Sequence, residues 1–506
     1  MISKPHHSLG TRILRGAVSS FFIGILSNGF LFAGQIIIPR VLSRVEYAQF
    51  TVSISFVAIL ALLADLGMNP FFTRMFAEAE EEAIAGSEDR RGTILGSAIA
   101  LRLIMSLVVA GLVIVLGHQL YPNGMLGNMA ILLITLIISS RLLIVRSVGE
   151  AVLRSLGKYY LAASFALIDA IAFATLLILG KDHGISLTGV IWIYTLCNLP
   201  GFILIVIAVG TWVRRNQLQL RVDYSFIGMM LRTALPLSLG TAFLTIHNEA
   251  DKLLLDKLSN PIEVSAYGAT IRLLTAASPL PLVLAAVTAP ELTRLLLRKD
   301  VERSSRLTDM AIRILLTVAG AIAVFVTAAN QEIIVLLLGV KYASAASLLT
   351  ISSWMLLPIF MAWYTCEMSI AAGTFRPWTI YNGIIMILVV AGDLLLIPSL
   401  GAQGAMISKL TAISVGCAFL LFLQREVPYF NVRKSLAALL KIVVSIGMAL
   451  VVAFILTPFD LNGWFSGAIA LLVYFAMVHF TKTLSLKETA SLMKRLRATN
   501  PIIEDV

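Results

Sequence analysis

Charged residues are scarce in this sequence. Asp, Glu, Lys and Arg together make up 13% of the 506 residues, whereas hydrophobic residues make up 58%. Soluble globular domains contain roughly 25% charged residues, so this composition excludes a soluble protein of this length. The apolar runs are repeatedly about 20 residues long, which is enough for a helix to cross a hydrocarbon core of roughly 30 Å. The sequence therefore predicts an all-α, polytopic membrane protein.

Catalytic and metal-binding motifs are also missing. The sequence has no G-x-x-x-x-G-K-[ST] loop, which excludes ATP hydrolysis through a P-loop, and no H-E-x-x-H motif or nucleophile elbow. The only cysteines, Cys197, Cys366 and Cys417, lie in or at the ends of apolar runs without zinc-ligand spacing, and we expect them to be buried. We therefore expect no catalytic residue, no metal and no cofactor, and we favour transport over catalysis.

The apolar runs predict about fourteen membrane-spanning helices. We number these predicted spans from 1 to 14 in chain order. Their limits are 17–38, 48–69, 93–117, 127–148, 160–180, 187–213, 229–250, 268–292, 308–329, 346–371, 377–397, 402–424, 436–457 and 462–481.

Lysine and arginine alternate between the predicted loops. The N-terminus and every second loop are basic, for example at Arg74, Arg154, Arg214 and Arg425, and the loops of the opposite face hold fewer basic residues. Because cytoplasmic loops of polytopic proteins carry an excess of Lys and Arg, we expect both termini to be cytoplasmic. The net charge of +11 is then explained by these loops, and we expect no nucleic-acid partner.

An internal repeat runs through the chain at an offset of about 217 residues. Gly184 meets Gly401, Gly157 falls one residue from register with Gly373, and the segment 36–43 has a counterpart one offset later. Because six predicted spans separate the copies, both halves keep one orientation, which predicts a pseudo-twofold axis along the membrane normal, as in carriers. The predicted domains are a six-helix lobe at 1–215, a second six-helix lobe at 216–430, two additional helices at 431–482 and a cytoplasmic tail at 483–506.

Predicted spans 1 and 7 carry matching polar stripes. Asn28 and Gln35 lie on one face of span 1, and at the repeat offset they match Thr245 and Lys252 of span 7. Polar groups in a membrane need partners or water, so the stripes indicate the walls of a cavity; helix packing through small polar residues is the alternative. With cations chosen by depth and face, the predicted substrate-binding residues are Asn28, Gln35, Arg102, Arg232, Thr241, Thr245, Asn248, Lys252, Arg272 and Lys409.

Other ionisable residues lie inside the predicted spans, where a charge costs on the order of 3 kcal/mol and usually faces the interior. Arg102 and Asp169 lie at similar depths, which suggests an ion pair with either a structural or a substrate role. Arg141 and Arg146 lie nearer the cytoplasm, where snorkelling explains them as well as function does. The candidates for ion coupling are Asp65, Asp169, Glu249, Asp251, Glu367 and Asp393.

Several short strings, in this order and spacing, are similar to those of a known family. They include Leu62-Leu63-Ala64-Asp65-Leu66-Gly67, Leu153-Arg154-Ser155-Leu156-Gly157-Lys158, Asp251-Lys252-Leu253-Leu254-Leu255, Leu394-Leu395-Leu396-Ile397-Pro398 and Gly401-Ala402-Gln403-Gly404-Ala405. Through them the chain resembles the polysaccharide transporter family, the Wzx-type flippases of the multidrug/oligosaccharidyl-lipid/polysaccharide (MOP) superfamily. The resemblance implies translocation of undecaprenyl-pyrophosphate-linked sugar repeat units from the cytoplasmic to the periplasmic leaflet of the bacterial inner membrane, by alternating access driven by an ion gradient.

The resemblance also implies partners and leaves alternatives open. The implied partners are a lipid-linked oligosaccharide, membrane lipid, a polysaccharide polymerase and a chain-length regulator. The product would be lipopolysaccharide O-antigen, exopolysaccharide or capsule. A lipid II flippase and a drug/cation antiporter share the superfamily. A polytopic polysaccharide polymerase or ligase is an enzyme alternative, but such enzymes ordinarily have a long periplasmic loop with arginines, which this sequence lacks.

Overall fold

The computed structural model describes residues 9–65, 68–86, 89–121, 124–139, 144–456 and 462–484. In these ranges the secondary structure is helical and contains no strand, which confirms the all-α fold class. Short 3-10 helices occupy Val340–Ala345 and Gln424–Glu426. The α-helices are α1 (Leu9–Val41), α2 (Arg44–Asp65), α3 (Met68–Ile84), α4 (Arg91–Leu120), α5 (Leu126–Leu132), α6 (Thr135–Ile138), α7 (Val145–Ser155), α8 (Tyr159–Lys181), α9 (Leu187–Leu196), α10 (Leu199–Arg215), α11 (Tyr224–Leu258), α12 (Pro261–Thr275), α13 (Pro279–Leu297), α14 (Val301–Ala328), α15 (Asn330–Leu338), α16 (Ala346–Trp354), α17 (Leu356–Ala371), α18 (Arg376–Leu423), α19 (Val432–Leu456) and α20 (Gly463–Phe480).

The number of helices that pass a test of length and apolarity differs from the predicted number of spans. Within the described ranges, 11 helices are long and apolar enough to cross a membrane, or 12 if the two parts of α11, which meet at 66°, form one span. The predicted count of about fourteen is not confirmed. Predicted spans 11 and 12 lie on one helix, α18, which is interrupted by non-helical backbone at Gly401. Predicted span 4 is broken into α5, α6 and α7.

The repeat predicted from the sequence is visible in the backbone. Gly157 and Gly373 have φ of 71° and 86°, and Gly184 and Gly401 have φ of 64° and 54°. These angles favour glycine because it has no Cβ. After each member of the first pair, the next residue donates its backbone N–H to the carbonyl five residues earlier, at 2.8 Å in the first half and 2.9 Å in the second. The two halves therefore end these helices with the same C-terminal turn.

The repeat also appears at two helix starts, with one difference. In the first half, Ser43 and Glu46 form a capping box: the Ser43 N–H donates to Glu46 Oε2 at 2.9 Å, and the Glu46 N–H donates to Ser43 Oγ at 3.2 Å. In the second half, Asn260 caps α12 and accepts the N–H of Glu263 at 3.1 Å. The Glu263 carboxylate instead accepts the N–H of Ala402 at 2.9 Å, directly after the break in α18.

By internal contacts the chain divides into two compact units, residues 1–253 and 254–506. The limits predicted for the lobes, at 215, 430 and 482, stay a prediction, as does the pseudo-twofold axis. Residues 485–506, most of the predicted tail, lie outside the described ranges. All three cysteines are buried, as expected.

One helix lies in a region that the sequence analysis treated as a loop. The helix α3 follows predicted span 2 and buries Phe72 and Phe76, which lie four residues apart on one face. Phe76 packs against Trp212 of α10 with 5.7 Å between ring centroids. The opposite face is charged, with an exposed ion pair between Arg74 and Glu78. This amphipathic helix places Asn69 beside the buried charges described next.

Candidate functional site

A buried arginine on α4 joins four helices of the first unit. Arg102, whose side chain is 2% exposed, donates from Nη1 to Asp65 Oδ1 at the end of α2, at 3.1 Å. Its Nη2 donates to Asn69 Oδ1 on α3 at 3.0 Å. The same amide oxygen accepts a hydrogen bond from Ser147 Oγ on α7 at 2.7 Å. The predicted pairing of Arg102 with Asp169 is therefore wrong; its carboxylate partner is Asp65.

A second buried arginine lies where predicted span 4 is broken. Arg146 on α7 forms ion pairs with Asp169 of α8 and, at 3.1 Å, with Glu150. Its Nη1 also donates to the carbonyl oxygen of Ile138, where α6 ends, at 3.2 Å, and to that of Asn198, between α9 and α10, at 3.1 Å. Carbonyl groups left without partners at helix breaks are costly in an apolar interior, and Arg146 donates to the carbonyl at the end of α6. The Asn198 carbonyl also accepts the backbone N–H of Phe202, at 3.1 Å.

This arrangement tests the snorkelling interpretation for Arg146, one of the two arginines of predicted span 4. Arg146 is 1% exposed, so it does not reach the aqueous phase by snorkelling. Arg141 lies outside the described residues. The carboxylate of Glu150 is shared with Arg154, at 3.0 Å, and the Arg154 side chain is 45% exposed. The network of two arginines and two acids is formally neutral, which lowers the desolvation penalty of the group.

Glycine at position 201 allows the approach of Asp169 to α10. Asp169 Oδ1 accepts the backbone N–H of Gly201 in the first turn of that helix, at 2.8 Å. A carboxylate is favourable there because helix N-termini carry unpaired N–H groups and a partial positive charge. A Cβ atom on residue 201 would lie 2.5–2.7 Å from Asp169 and from Arg146 Nη2. Any other residue would push the ion pair away from the helix.

A third group of charges links α2 and α11 within the first unit. Glu249 Oε2 accepts a hydrogen bond from Ser55 Oγ at 2.6 Å and from Lys252 Nζ at 2.5 Å. Lys252 is buried, and its backbone N–H donates to the carboxylate of Asp251, which is also buried. Lys252, a predicted substrate-binding residue, therefore forms one cluster with Glu249 and Asp251, two of the predicted ion-coupling acids. The Lys252 charge is neutralised by Glu249 in this conformation.

The polar stripes of predicted spans 1 and 7 remain accessible in part. In α1, Ser27 is buried and donates to the carbonyl of Ala166 on α8, whereas the neighbouring Asn28 is exposed. Gly34 packs onto the ring of Phe173, also on α8. Small residues of α1 therefore pack against α8, and Asn28 is free of that contact surface. The remaining members of the stripes are half-buried: Gln35, Thr241, Thr245 and Asn248.

Two predicted charges of the second unit lie on the two arms of α18. The arms touch where Ser408 Oγ donates to the carbonyl of Val389 at 3.1 Å, and a Cβ on Gly392 would be 2.5 Å from Ser408 Oγ. Asp393 and Lys409 directly follow Gly392 and Ser408, and they are 0% and 4% exposed. The turn at Gly401 thus brings two buried, oppositely charged residues to one level.

The other predicted site residues are more accessible. Arg272 on α12 and Glu367 on α17 are half-buried, and Arg232 on α11 is exposed.

Comparison with known proteins places the chain in a family. Residues 13–296 match the family described as polysaccharide biosynthesis protein. The chain belongs to that family. The match covers more than half of the sequence and includes all three charge clusters of the first unit. The comparison with curated proteins gave no match.

Solved structures show the same fold at low sequence identity. One, "Lipid II flippase MurJ, inward closed conformation", has a TM-score of 0.69 and 15% identity, over 92% of this chain and 98% of that chain. An inward-facing multidrug resistance MATE family transporter of the MOP superfamily has a TM-score of 0.62 and 16% identity, over 81% and 97%. A MOP superfamily transporter from Pyrococcus furiosus has a TM-score of 0.54 and 15% identity, over 82% and 95%. The fold is therefore that of MOP-superfamily transporters and flippases.

Sequence reasoning missed several members of these clusters. Arg146, Glu150, Asn69 and Gly201 were not among the predicted site residues. Asn69 contacts the predicted Arg102, and Gly201 and Arg146 contact the predicted Asp169. Glu150 joins the network through Arg146. A signal for the second cluster was present: Arg146, Glu150 and Arg154 are spaced by four residues and so share one helix face. No comparable signal marks Asn69, because its role depends on how α3 packs.

Proposed function

We propose that this protein is a flippase that moves undecaprenyl-pyrophosphate-linked oligosaccharide repeat units from the cytoplasmic to the periplasmic leaflet. The product would be used for lipopolysaccharide O-antigen, exopolysaccharide or capsule. The observation that carries the proposal is the family match over residues 13–296, because its description names polysaccharide biosynthesis. The fold of a lipid flippase over 92% of the chain supports it. We propose that the protein translocates this substrate and does not catalyse a chemical reaction on it.

Accessible cationic and amide groups of the first unit support a substrate with a pyrophosphate group. A pyrophosphate binds to cationic and amide groups, and Asn28 and Arg232 of the first unit are both exposed. Lys252 is already held by Glu249. We propose that a proton on Glu249 releases Lys252 for the substrate, since a neutral carboxylic acid no longer forms an ion pair with the ammonium group. Exchange between proton and pyrophosphate at this pair would couple translocation to an ion gradient.

The experiment is a gene deletion complemented with variants, with lipid-linked precursors measured in each leaflet. In the deletion strain, we expect undecaprenyl-linked oligosaccharide to accumulate in the cytoplasmic leaflet and surface polysaccharide to be lost. Lys252→Ala should complement poorly at wild-type protein levels. Lys257→Ala is the matched control on the same helix, because the Lys257 side chain is 45% exposed and 3.7 Å from Asp256. Normal leaflet distribution in the deletion strain would contradict the proposal.

The proposed coupling to protons is tested with the variant Glu249→Gln. Glu249→Gln keeps the size of the side chain but can neither bind a coupling proton nor hold Lys252 by charge. We expect this variant to bind precursor in detergent as the wild type does, and to translocate it in proteoliposomes at a rate that no longer responds to an imposed pH gradient. A response equal to that of the wild type would exclude Glu249 as the coupling acid and leave Asp65, Asp169, Asp251, Glu367 and Asp393 to be tested in the same way.

A lipid II flippase is the second candidate, favoured by the similarity to the structure that bears that name. Complementation of cells depleted of their lipid II flippase separates the two. We expect no rescue of growth, because a dedicated oligosaccharide flippase should discriminate by the sugar. Rescue would favour the second candidate. The multidrug transporter similarity gives a third outcome, drug resistance on overexpression, which would favour an antiporter.

The location and partners belong to the same proposal. We expect a bacterial inner-membrane protein with both termini in the cytoplasm, working beside a polysaccharide polymerase and a chain-length regulator. Terminal fusions to reporters that are active on only one side of the membrane would test the orientation. A periplasmic signal from either terminus would contradict it.

A further inference from the structure

The second unit contains an apolar groove of about 690 Å³ with a single cation in its lining. It lies between α16 and α17, the second arm of α18, and the start of α19. Leu421 and Leu436 are typical of the lining, and Trp354, Ser414 and Arg425 supply most of its polar atoms. The volume is within the range of about 300–1,000 Å³ found for small-molecule sites. A sugar would find few hydrogen-bond partners there, whereas a hydrocarbon chain would find a continuous apolar wall.

The groove has an apolar length and a cationic end, because its one lining cation, Arg425, lies at one end. On α18 the lining residues recur every three or four positions from Leu410 to Phe422, and Arg425 follows in the 3-10 helix Gln424–Glu426, so they form one stripe. At 1.5 Å per residue, this stripe is about 22 Å long. One leaflet occupies about half of a roughly 30 Å hydrocarbon core, so the stripe can accommodate an acyl chain. Arg425 lies at the end of the stripe, and α19 starts near it with Val432, followed by exposed Arg433.

The Arg425 guanidinium lies at the end of the groove, and its ion pair is exposed rather than buried. It stacks over the ring of Phe422, another lining residue, with 4.2 Å to the centroid. Its carboxylate neighbour is Glu426, at 3.2 Å, and the two side chains are 55% and 80% exposed. Exposed ion pairs of this kind are weak, so a phosphate group can displace the Glu426 carboxylate.

We propose that this groove binds an anionic glycerophospholipid of the inner leaflet, with an acyl chain along the α18 stripe and the phosphate on Arg425. The basic loop between α18 and α19 is one of those predicted to be cytoplasmic, and basic pockets between spanning helices on that side bind anionic headgroups. The proposed ligand is a resident lipid, distinct from the translocated substrate. The inference does not depend on the proposed flippase function.

The headgroup contact is tested by native mass spectrometry of the purified full-length protein with phosphatidylglycerol and, as the neutral comparison, phosphatidylcholine. We expect wild type to prefer phosphatidylglycerol and Arg425→Gln to lose about fivefold in affinity for it, the usual effect of one arginine near an anionic lipid surface. Arg298→Gln is the matched control, because Arg298 is an exposed cation at the end of α13 outside the groove. Equal affinities of Arg425→Gln and wild type for phosphatidylglycerol would overturn the headgroup assignment.

The contact between the groove and the lipid acyl chain is tested by filling the groove with a larger side chain. Ala418→Trp inserts a large ring into the lining of α18, and we expect it to reduce the bound amount of both lipids. Val415→Trp places the same ring on that helix at an exposed position outside the lining and should leave binding unchanged. Equal lipid binding by Ala418→Trp and Val415→Trp would overturn the groove assignment.

Crosslinking provides a measurement that does not depend on folding of the variants. Wild-type protein is mixed with phosphatidylglycerol carrying a photoactivatable acyl chain, irradiated, and mapped by peptide mass spectrometry. We expect adducts within residues 410–425 and 432–439. Adducts confined to other segments would overturn the proposal. Displacement of the probe by equimolar undecaprenyl phosphate would do so as well, because it would assign the groove to an isoprenoid chain.

Discussion

Replacing Asp169 with asparagine tests whether the buried charge network holds the broken helices of the first unit together. The amide has nearly the shape of the carboxylate, so the packing of α8 is retained while the charge is lost. Removing one partner of a buried ion pair typically costs about 3–5 kcal/mol, because the other charge stays buried without compensation. Arg146 would keep Glu150 at 3.1 Å and the carbonyl of Asn198 at 3.1 Å. The asparagine Oδ1 could still accept the N–H of Gly201.

These retained contacts place the expected loss of stability at the lower end of that range, about 3 kcal/mol. This corresponds to roughly a hundredfold change in the ratio of folded to unfolded protein. The assay is thermal denaturation of the purified full-length protein in detergent, followed by size-exclusion chromatography. Asp182→Asn is the matched control at the end of the same helix, where the side chain is exposed and the expected change is within about 0.5 kcal/mol.

A double variant separates the loss of charge balance from loss of packing. In Arg146→Gln/Asp169→Asn the uncompensated arginine charge is absent, and Glu150 keeps its contact with Arg154 at 3.0 Å. We therefore expect the double variant to be clearly less destabilised than the sum of the two single variants. If Asp169→Asn denatures at the same temperature as Asp182→Asn, or if the single effects simply add, the network does not stabilise the protein in the way proposed.

Three further predictions concern stability and use the same assay. Gly201→Ala should cost about 3–5 kcal/mol, since its Cβ would lie 2.5 Å from an oxygen of Asp169 and would displace the buried ion pair; an unchanged denaturation temperature would refute this close approach. Gly401→Ala should cost about 1–3 kcal/mol, because φ of 54° with ψ of −132° is strained for any residue with a Cβ; an unchanged denaturation temperature would contradict the observed turn. Arg102→Lys should cost about 1–3 kcal/mol, because lysine cannot donate to two acceptors in the fork geometry of arginine; full stability would show that the second hydrogen bond is dispensable.

The membrane fold and its repeat follow from the sequence to a large extent. Long apolar runs must form helices, because backbone polar groups in a membrane have to be satisfied within their own segment. The same physics does not fix where a helix breaks. Predicted span 4 is apolar enough in sequence, yet the chain interrupts it between Ile138 and Val145, and Arg146 satisfies the carbonyl group left at the end of α6. Apolarity alone carries no signal for such a break.

The buried charges were also predicted only in part from the sequence. Depth along a helix can be read from residue number, and it correctly placed Arg102 and Asp169 inside spans. Rotation and packing of the helices determine which charges meet, and these depend on contacts between residues far apart in sequence. Arg102 therefore pairs with Asp65 of α2, and Asp169 with Arg146 of α7.

By itself, the sequence determined that this protein is a bundle of membrane helices with two related halves, and it identified the glycines at which both halves turn. Hydrophobic length and the left-handed backbone that glycine permits are local properties, so no tertiary information is needed for them. Only the tertiary structure decided which acid neutralises each buried cation, because a charge in an apolar interior is stable only beside partners that the packing of distant segments provides.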